Sequence, residues 1–207
     1  MIAIVDYGIG NLGSVLNMMK RIGAEAEITA DPDVVAAADK VILPGVGAFD
    51  TGMKNLADRG LIPALEHAAR ERQVPVLGFC LGMQLLVGGS EEGDREGLNW
   101  IPGRCERLRP EGSLRVPQMG WNRLSATREH PLLEGMDARA RFYFVHSFQV
   151  VCDRPEDVVA RTDYGGPVTA VIARDNVWAT QFHPEKSHKY GMALLRNFVS
   201  LPLPAAV

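Results

Sequence analysis

Residues 74–87 read VPVLGFCLGMQLLV. An apolar run, VPVLGF, meets a helix-like run, LGMQLLV, at a corner where Cys80 stands between Gly78 and Gly82. A short apolar run that stops at turn residues reads as a strand buried on both faces, so the unit is strand, sharp turn, helix. The two glycines leave room for a turn that forces Cys80 into a strained backbone conformation with its side chain outward. That is the geometry of a nucleophile elbow with sulfur in place of oxygen. A helix opening at Leu81 aims free N–H groups and the positive end of its dipole at the sulfur, which favours thiolate. A buried cysteine at a glycine-containing turn is the competing reading of the pentapeptide alone.

Upstream of this corner, strand and helix patterns alternate. IAIVDY reads as a strand, LGSVLNMMKRI as an amphipathic helix, AEIT as a strand, and DPDVVAAA as a short helix capped by Asp31 with Pro32 at its first position. KVILPG follows as a strand, then FDTGMKNLADRG and IPALEHAARER as helices. Helices between short, nearly all-apolar strands imply a parallel sheet covered on both faces. Downstream, GRCERL, RVPQMGWNRL, RFYFVHSFQVV and DVVART have the residue mix of strands. VTAVIARDNVWATQF reads as a hairpin turning at Asp175 and Asn176, and YGMALLRNFVSL as a closing helix. The expectation is one α/β domain over residues 1–207 with an added antiparallel portion.

A chain of 207 residues can bury one sizeable core. Its net charge of −3 lacks the basic surplus of a nucleic-acid binder. No stretch approaches the roughly 20 apolar residues of a membrane helix. The opening MIAIVDYG reads as a strand rather than a targeting segment, so a cytoplasmic protein is expected, with neither membrane nor nucleic acid as partner. Cys80, Cys105 and Cys152 are scattered and odd in number, without disulfide or metal-ligand spacing. Cys105 and Cys152 are read as structural.

A cysteine nucleophile needs a base and an oxyanion site. His67 lies in a helical run, and His130 and His188 sit in polar loops that read as exposed. His146, in YFVHSF, is either a satisfied strand histidine or one lining a site. His183, in QFHPEKS, is different. Pro184 favours extended chain at the residue before it, and residues i and i+2 of extended chain face the same way. Glu185 can then accept from one imidazole nitrogen while the other faces the sulfur, the logic of a triad. After the strand KVIL comes PGVGAF, a glycine-rich loop where the Val46–Gly47 peptide can supply one oxyanion N–H and Leu81 the other.

One motif competes. GIGNLG, residues 8–13, fits a dinucleotide-binding fingerprint with Asp31 downstream. Against it, Asp6 and Tyr7 intervene before the first glycine, and a second set of βαβ units is not visible. Together, GFCLGMQLL, QFHPEKS and PGVGAF resemble the class I, triad-type glutamine amidotransferases. DYGIGNLGSV, PQMGWN and FYFVHSF narrow the resemblance to the glutaminase subunits of imidazole glycerol phosphate synthase, from the first strand to the last helix. The resemblance implies a flavodoxin-like α/β fold that hydrolyses L-glutamine and passes ammonia to a separate cyclase subunit in histidine biosynthesis, without metal or organic cofactor. It implies Cys80 as nucleophile, His183 as general base and acid, and Glu185 as its orienting partner. It further implies Gln84, Glu92, Ser147 and Phe148 around the glutamine, and Asn11, Gln118, Trp121, Asn122, Tyr143 and Lys186 at or near the cyclase-facing surface. Gln118 replaces a frequent histidine and Ala179 a frequent glycine. Another amidotransferase of the same class, or a silent binding subunit, remains as an alternative.

Overall fold

The computed structural model describes residues 1–203. Strand β1 (Ile2–Val5) leads to helix α1 (Leu12–Arg21), which buries Val15, Met18 and Met19. After β2 (Ala26–Thr29), helix α2 (Pro32–Ala37) starts as its sequence dictates. Asp31 accepts from the Asp33 N–H at 2.9 Å, and Pro32 occupies a position whose N–H would be orphaned anyway. Next come β3 (Lys40–Gly45), α3 (Phe49–Asp58), α4 (Leu61–Glu66), β4 (Val76–Cys80) and α5 (Leu81–Gln84). The second half contains β5 (Gly103–Arg107), β6 (Gln118–Arg123), β7 (Ser125–Ala126), β8 (Arg141–His146), β9 (Phe148–Cys152) and β10 (Val158–Asp163). The hairpin β11 (Pro167–Arg174) and β12 (Val177–Thr180) precedes the closing helix α6 (His188–Val199).

Eight strands form one sheet in the order β2-β1-β3-β4-β12-β11-β10-β7. The first five run parallel, and β11, β10 and β7 extend the sheet antiparallel from β12. This is the parallel sheet with an antiparallel extension that the sequence implies. Alternate side chains enter opposite cores: Ala3, Val5, Val41 and Leu43 on one face, Ile2, Ile4, Ile42 and Phe79 on the other. Lys40 is buried, and its ammonium donates to the Phe198 and Leu201 carbonyls at 3.2 and 2.7 Å and to that of Val199. A cation at the C-terminal end of α6 thus ties that helix to the sheet. Two ribbons, β5 with β9 and β6 with β8, lie outside the main sheet. Among the described residues no helix is long and apolar enough to cross a membrane.

The structure corrects the expected elements at four places. The helix after Cys80 stops at Gln84 instead of running to Val87. The N–H groups of Leu86 and Val87 turn to the i−3 carbonyls of Met83 and Gln84, and the carbonyls of residues 85–87 accept from residues 98–100 instead of from a further helical turn. Leu98 N–H donates to Leu85, Asn99 to Val87 and Trp100 to Leu86. RFYFVHSFQVV breaks at Ser147 into β8 and β9, which pair in different ribbons. The helix over IPALEHAARER widens at His67–Glu71 into a π turn, from which Arg72 reaches the Ala36 and Ala38 carbonyls at the end of α2. His130 is not an exposed loop residue. Its ring packs edge-on against Trp178 at 4.4 Å, Nδ1 accepts from the Leu132 N–H, and burial depresses its pKa to about 4.

Candidate active site

Three neighbouring parallel strands, β3, β4 and β12, bring the site together at their C-terminal ends. Gly45, the last residue of β3, pairs with Cys80, the last of β4. His183 follows three residues after the end of β12. The mouth at the C-terminal edge of a parallel sheet is where α/β folds place their ligands.

Cys80 has φ 51° and ψ −106°, a conformation that L-residues rarely adopt. Such a backbone costs on the order of 1–3 kcal/mol and persists only where its surroundings enforce it. The flanking glycines do so. A Cβ on Gly82 would fall onto the Leu43 carbonyl oxygen, and one on Gly78 would lie 2.8 Å from the Gly82 carbonyl oxygen. Both positions therefore require glycine for close backbone approach, while the unusual φ falls on Cys80 itself.

His183 and Glu185 meet, but not through extended chain. His183 itself is extended (φ −100°, ψ 99°), as a residue before proline should be, whereas Pro184–Lys186 turns into a 3₁₀ helix that carries Glu185 back to the imidazole. Imidazole Nδ1 lies 2.9 Å from Glu185 Oε1, with both side chains almost wholly buried. The histidine backbone is clamped on both sides. Its N–H donates to the Tyr143 carbonyl at 2.9 Å, and its carbonyl accepts from the Ser187 hydroxyl at 2.6 Å. The other nitrogen, Nε2, is buried with no partner in ordinary hydrogen-bond geometry among the described residues. Burial opposes the imidazolium, but the neighbouring Cys80 sulfur and the hydrogen-bonded Glu185 carboxylate outweigh it and raise the pKa to about 9. The raised pKa favours the imidazolium, the form with a proton to deliver.

These groups open on a cleft of about 300 Å³, lined also by Val46, Gly47, Leu81, Gln84, Glu92, Ser147 and Phe148. Gly47 has φ +116°, which favours glycine at the loop after β3. Glu92 accepts from the Phe49 N–H through one oxygen at 2.9 Å. A larger hollow, about 810 Å³ between Ala126 and Glu134, contains none of these groups. Among the described residues no set of three or more His, Cys, Asp or Glu side chains is arranged to hold a metal ion.

Sequence reasoning left out three residues of the site. Gln181 is fully buried with its side-chain amide 3.7 Å from the Cys80 sulfur. Gln181 follows directly on β12, two residues before His183, and that position beside the candidate base was the available signal. Ser187 and the Val145 carbonyl, 3.8 Å from the sulfur, carry no comparable signal. His146 is both of the things its context allowed. It lines the cleft, yet is satisfied by the Phe148 carbonyl at 2.8 Å and the Gln118 amide at 3.0 Å. Burial chiefly depresses its pKa to about 4, so it is neutral. The structure sets Gln118 Oε1 against Nε2. A neutral ring that donates to Phe148 through Nδ1 must instead accept at Nε2, which calls for the Gln118 amide turned over to present its NH₂ group.

That contact corrects one expectation. Gln118 is only 2% exposed and braces the cleft wall, so its side chain does not offer itself to a partner. The other residues expected there lie further out. Trp121 is 45% exposed and stacks on His188 at 5.4 Å and edge-on to Tyr143 at 5.8 Å. The Lys186 ammonium sits 5.7 Å from the centre of the Tyr143 ring. Asn11 is exposed, while Asn122 is half-buried and donates to the Asp163 carbonyl at 2.7 Å. Cys105 and Cys152 are free thiols that burial shifts upward, Cys152 to about 12, so neither is a competing nucleophile.

Residues 3–201 match the family described as glutamine amidotransferase class-I, and the chain belongs to that family. Within it, the chain is 49% identical to imidazole glycerol phosphate synthase subunit HisH 2 of Pseudomonas aeruginosa, over 97% of this chain and 100% of that protein. It is 50% identical to imidazole glycerol phosphate synthase subunit HisH of Synechococcus elongatus, over 96% of this chain and 92% of that protein. Among solved structures, PurLQS from Thermotoga maritima superposes with a TM-score of 0.71 over 96% of both chains at 19% identity, a likeness of fold.

Proposed function

We infer that this chain is the glutaminase subunit of imidazole glycerol phosphate synthase, hydrolysing L-glutamine to L-glutamate and ammonia for a cyclase subunit in histidine biosynthesis. One observation carries the chemistry. A cysteine held in a strained corner shares a cleft with a buried histidine–glutamate pair, in a chain with full-length kinship to HisH subunits. We read residues 1–207 as one amidotransferase domain acting in the cytoplasm, and the three free cysteines fit a reducing compartment.

In this reading the Cys80 thiolate attacks the side-chain amide carbon of glutamine, and the carbonyl oxygen becomes an oxyanion. The N–H groups of Leu81 and of the Val46–Gly47 peptide receive that charge. Protonated His183 gives its proton to the leaving nitrogen, and ammonia departs from a thioester on Cys80. Neutral His183 then takes a proton from water, whose oxygen attacks the thioester, releasing glutamate and regenerating the thiolate. Glu185 holds the imidazole in the tautomer both steps need. Gln84, Glu92, Ser147 and Phe148 hold the amino-acid end, and Asn11, Trp121, Tyr143 and Lys186 lie towards the cyclase. The glycines of residues 45–47 give the oxyanion loop more than one accessible conformation, and binding of the liganded cyclase selects the donor-inward one.

The test separates making ammonia from using it. With the cyclase present, Cys80→Ala should lower glutamine-dependent synthesis by about 10⁴-fold or more. Ammonium salts at raised pH should restore turnover, and the variant should still bind the cyclase. Retained glutamine-dependent turnover would place the nucleophile elsewhere, and lost cyclase binding would make Cys80 structural.

A further inference from the structure

The triad leaves one close neighbour of the sulfur without a task. Gln181 Nε2 lies 3.7 Å from Cys80 Sγ, and a chain of partners fixes which end of that amide faces the sulfur. The Phe148 carbonyl can only accept, so the Gln84 group 3.1 Å from it is the NH₂. The same Gln84 nitrogen lies 3.2 Å from the Gln181 amide, which must therefore present its oxygen there. The remaining end of Gln181, turned towards Cys80, is a donor. His146 Nδ1 holds the Phe148 carbonyl from another side at 2.8 Å, so the start of the relay is itself pinned.

We propose that Gln181 is a positioning residue for the nucleophile, donating a fixed hydrogen bond to the Cys80 sulfur that favours thiolate over thiol and holds it towards the cleft. The proposal rests on the reading of Cys80 as nucleophile. A thiol is a weak acceptor whose own hydrogen has the Val145 carbonyl within 3.8 Å, whereas a thiolate is an anion that gains from every donor aimed at it. The Gln181 contact therefore strengthens as the proton leaves, and only such a difference between the two states shifts the equilibrium. The relay also reaches the glutamine subsite. With both Gln84 amide hydrogens engaged, only its oxygen remains, which suits a substrate ammonium rather than a carboxylate.

Alkylation of Cys80 by iodoacetamide across pH, located by mass spectrometry in the full chain, tests this. Gln181→Met keeps the volume and removes the donor, and Gln181→Glu keeps the shape but turns an anion to the sulfur. The pH midpoint of alkylation should rise by about one unit in Gln181→Met and further in Gln181→Glu, because a hydrogen bond to a charged group changes such an equilibrium about tenfold. Glutamine turnover with the cyclase should fall about tenfold at neutral pH and recover in part at higher pH, with cyclase binding unchanged. A wild-type midpoint in either folded variant overturns the proposal. If neither variant binds the cyclase, the side-chain amide resonances of Gln181 in isotope-labelled wild-type protein decide instead. They should titrate with the alkylation midpoint, and resonances indifferent to it overturn the proposal. Complete alkylation of wild-type Cys80 separates the two levels. Surviving glutamine hydrolysis removes the nucleophile assignment and the proposal with it, whereas abolished hydrolysis with unshifted variant profiles removes the role of Gln181 alone.

Discussion

The parallel half of the main sheet and the two outlying ribbons contribute to the cleft in different ways. β3, β4 and β12 present their parts from strand ends: a glycine loop, a strained cysteine, and a histidine fixed to its glutamate. Those parts are positioned by backbone, through close approaches that only glycine permits. The ribbons β5–β9 and β6–β8 line the cleft through side chains, where His146 of β8 joins the Phe148 carbonyl of β9 to Gln118 of β6. Gln84 of α5 reaches the same carbonyl from the parallel half. The same β6–β8 ribbon carries exposed Trp121 and Met119 on its outer side. In the proposed reading, the catalytic groups sit on the parallel half, and the ribbon half offers Trp121 to a partner.

If that division holds, the largest effect should come from the backbone contacts of the parallel half. Gly82→Ala drives a Cβ into the Leu43 carbonyl, which is main chain and cannot swing aside. It should cost about 3 kcal/mol of stability in denaturant titrations and abolish glutamine turnover. Near-native stability would mean that the corner is looser than its φ and ψ imply. The pH profile comes next. The pKa of His183 is raised to about 9, so glutamine-dependent kcat/KM should fall roughly tenfold per pH unit above that value as the donated proton is lost. The same shift has a stability consequence. Its contribution is fully present below the ordinary value of 6.5 and disappears as pH rises through about 9.

Trp121→Ala, on the ribbon half, should weaken cyclase binding about tenfold in a calorimetric titration while leaving stability nearly unchanged. Equal affinity would move the contact surface off β6. The smallest effect has the opposite sign to the first. Gly13 in α1 has a negative φ and open space where a Cβ would go. Gly13→Ala should raise thermal stability by about 0.5–1 kcal/mol.

The same division explains what could be read from residue order alone. The corner at Cys80, the glycine loop after β3 and the His–Pro–Glu step are local, each spelled within a few residues whose backbone preferences are strong. Full-length similarity to known families carried the rest of the functional reading. The wall is not local. Gln118 meets His146 across 28 positions and Gln84 meets Gln181 across 97, so neither pairing has a periodic signature. Gln118 was accordingly read as surface, and His130 as exposed, because a polar context hides a packing partner as distant as Trp178. The helix after Cys80 looked longer because its apolar run does not show that residues 85–87 leave the helix and give their carbonyls to a segment a dozen residues away.

The central claim is that the corner after β4 singles out one sulfur from three, and covalent labelling tests it most directly. A chloroketone analogue of glutamine, added to the complex with the cyclase subunit, should modify Cys80 in a one-to-one ratio. Glutamine-dependent turnover should be lost in step with labelling, and Cys105 and Cys152 should remain free. Equal modification of all three cysteines, or complete modification of Cys80 with glutamine turnover intact, would contradict the account.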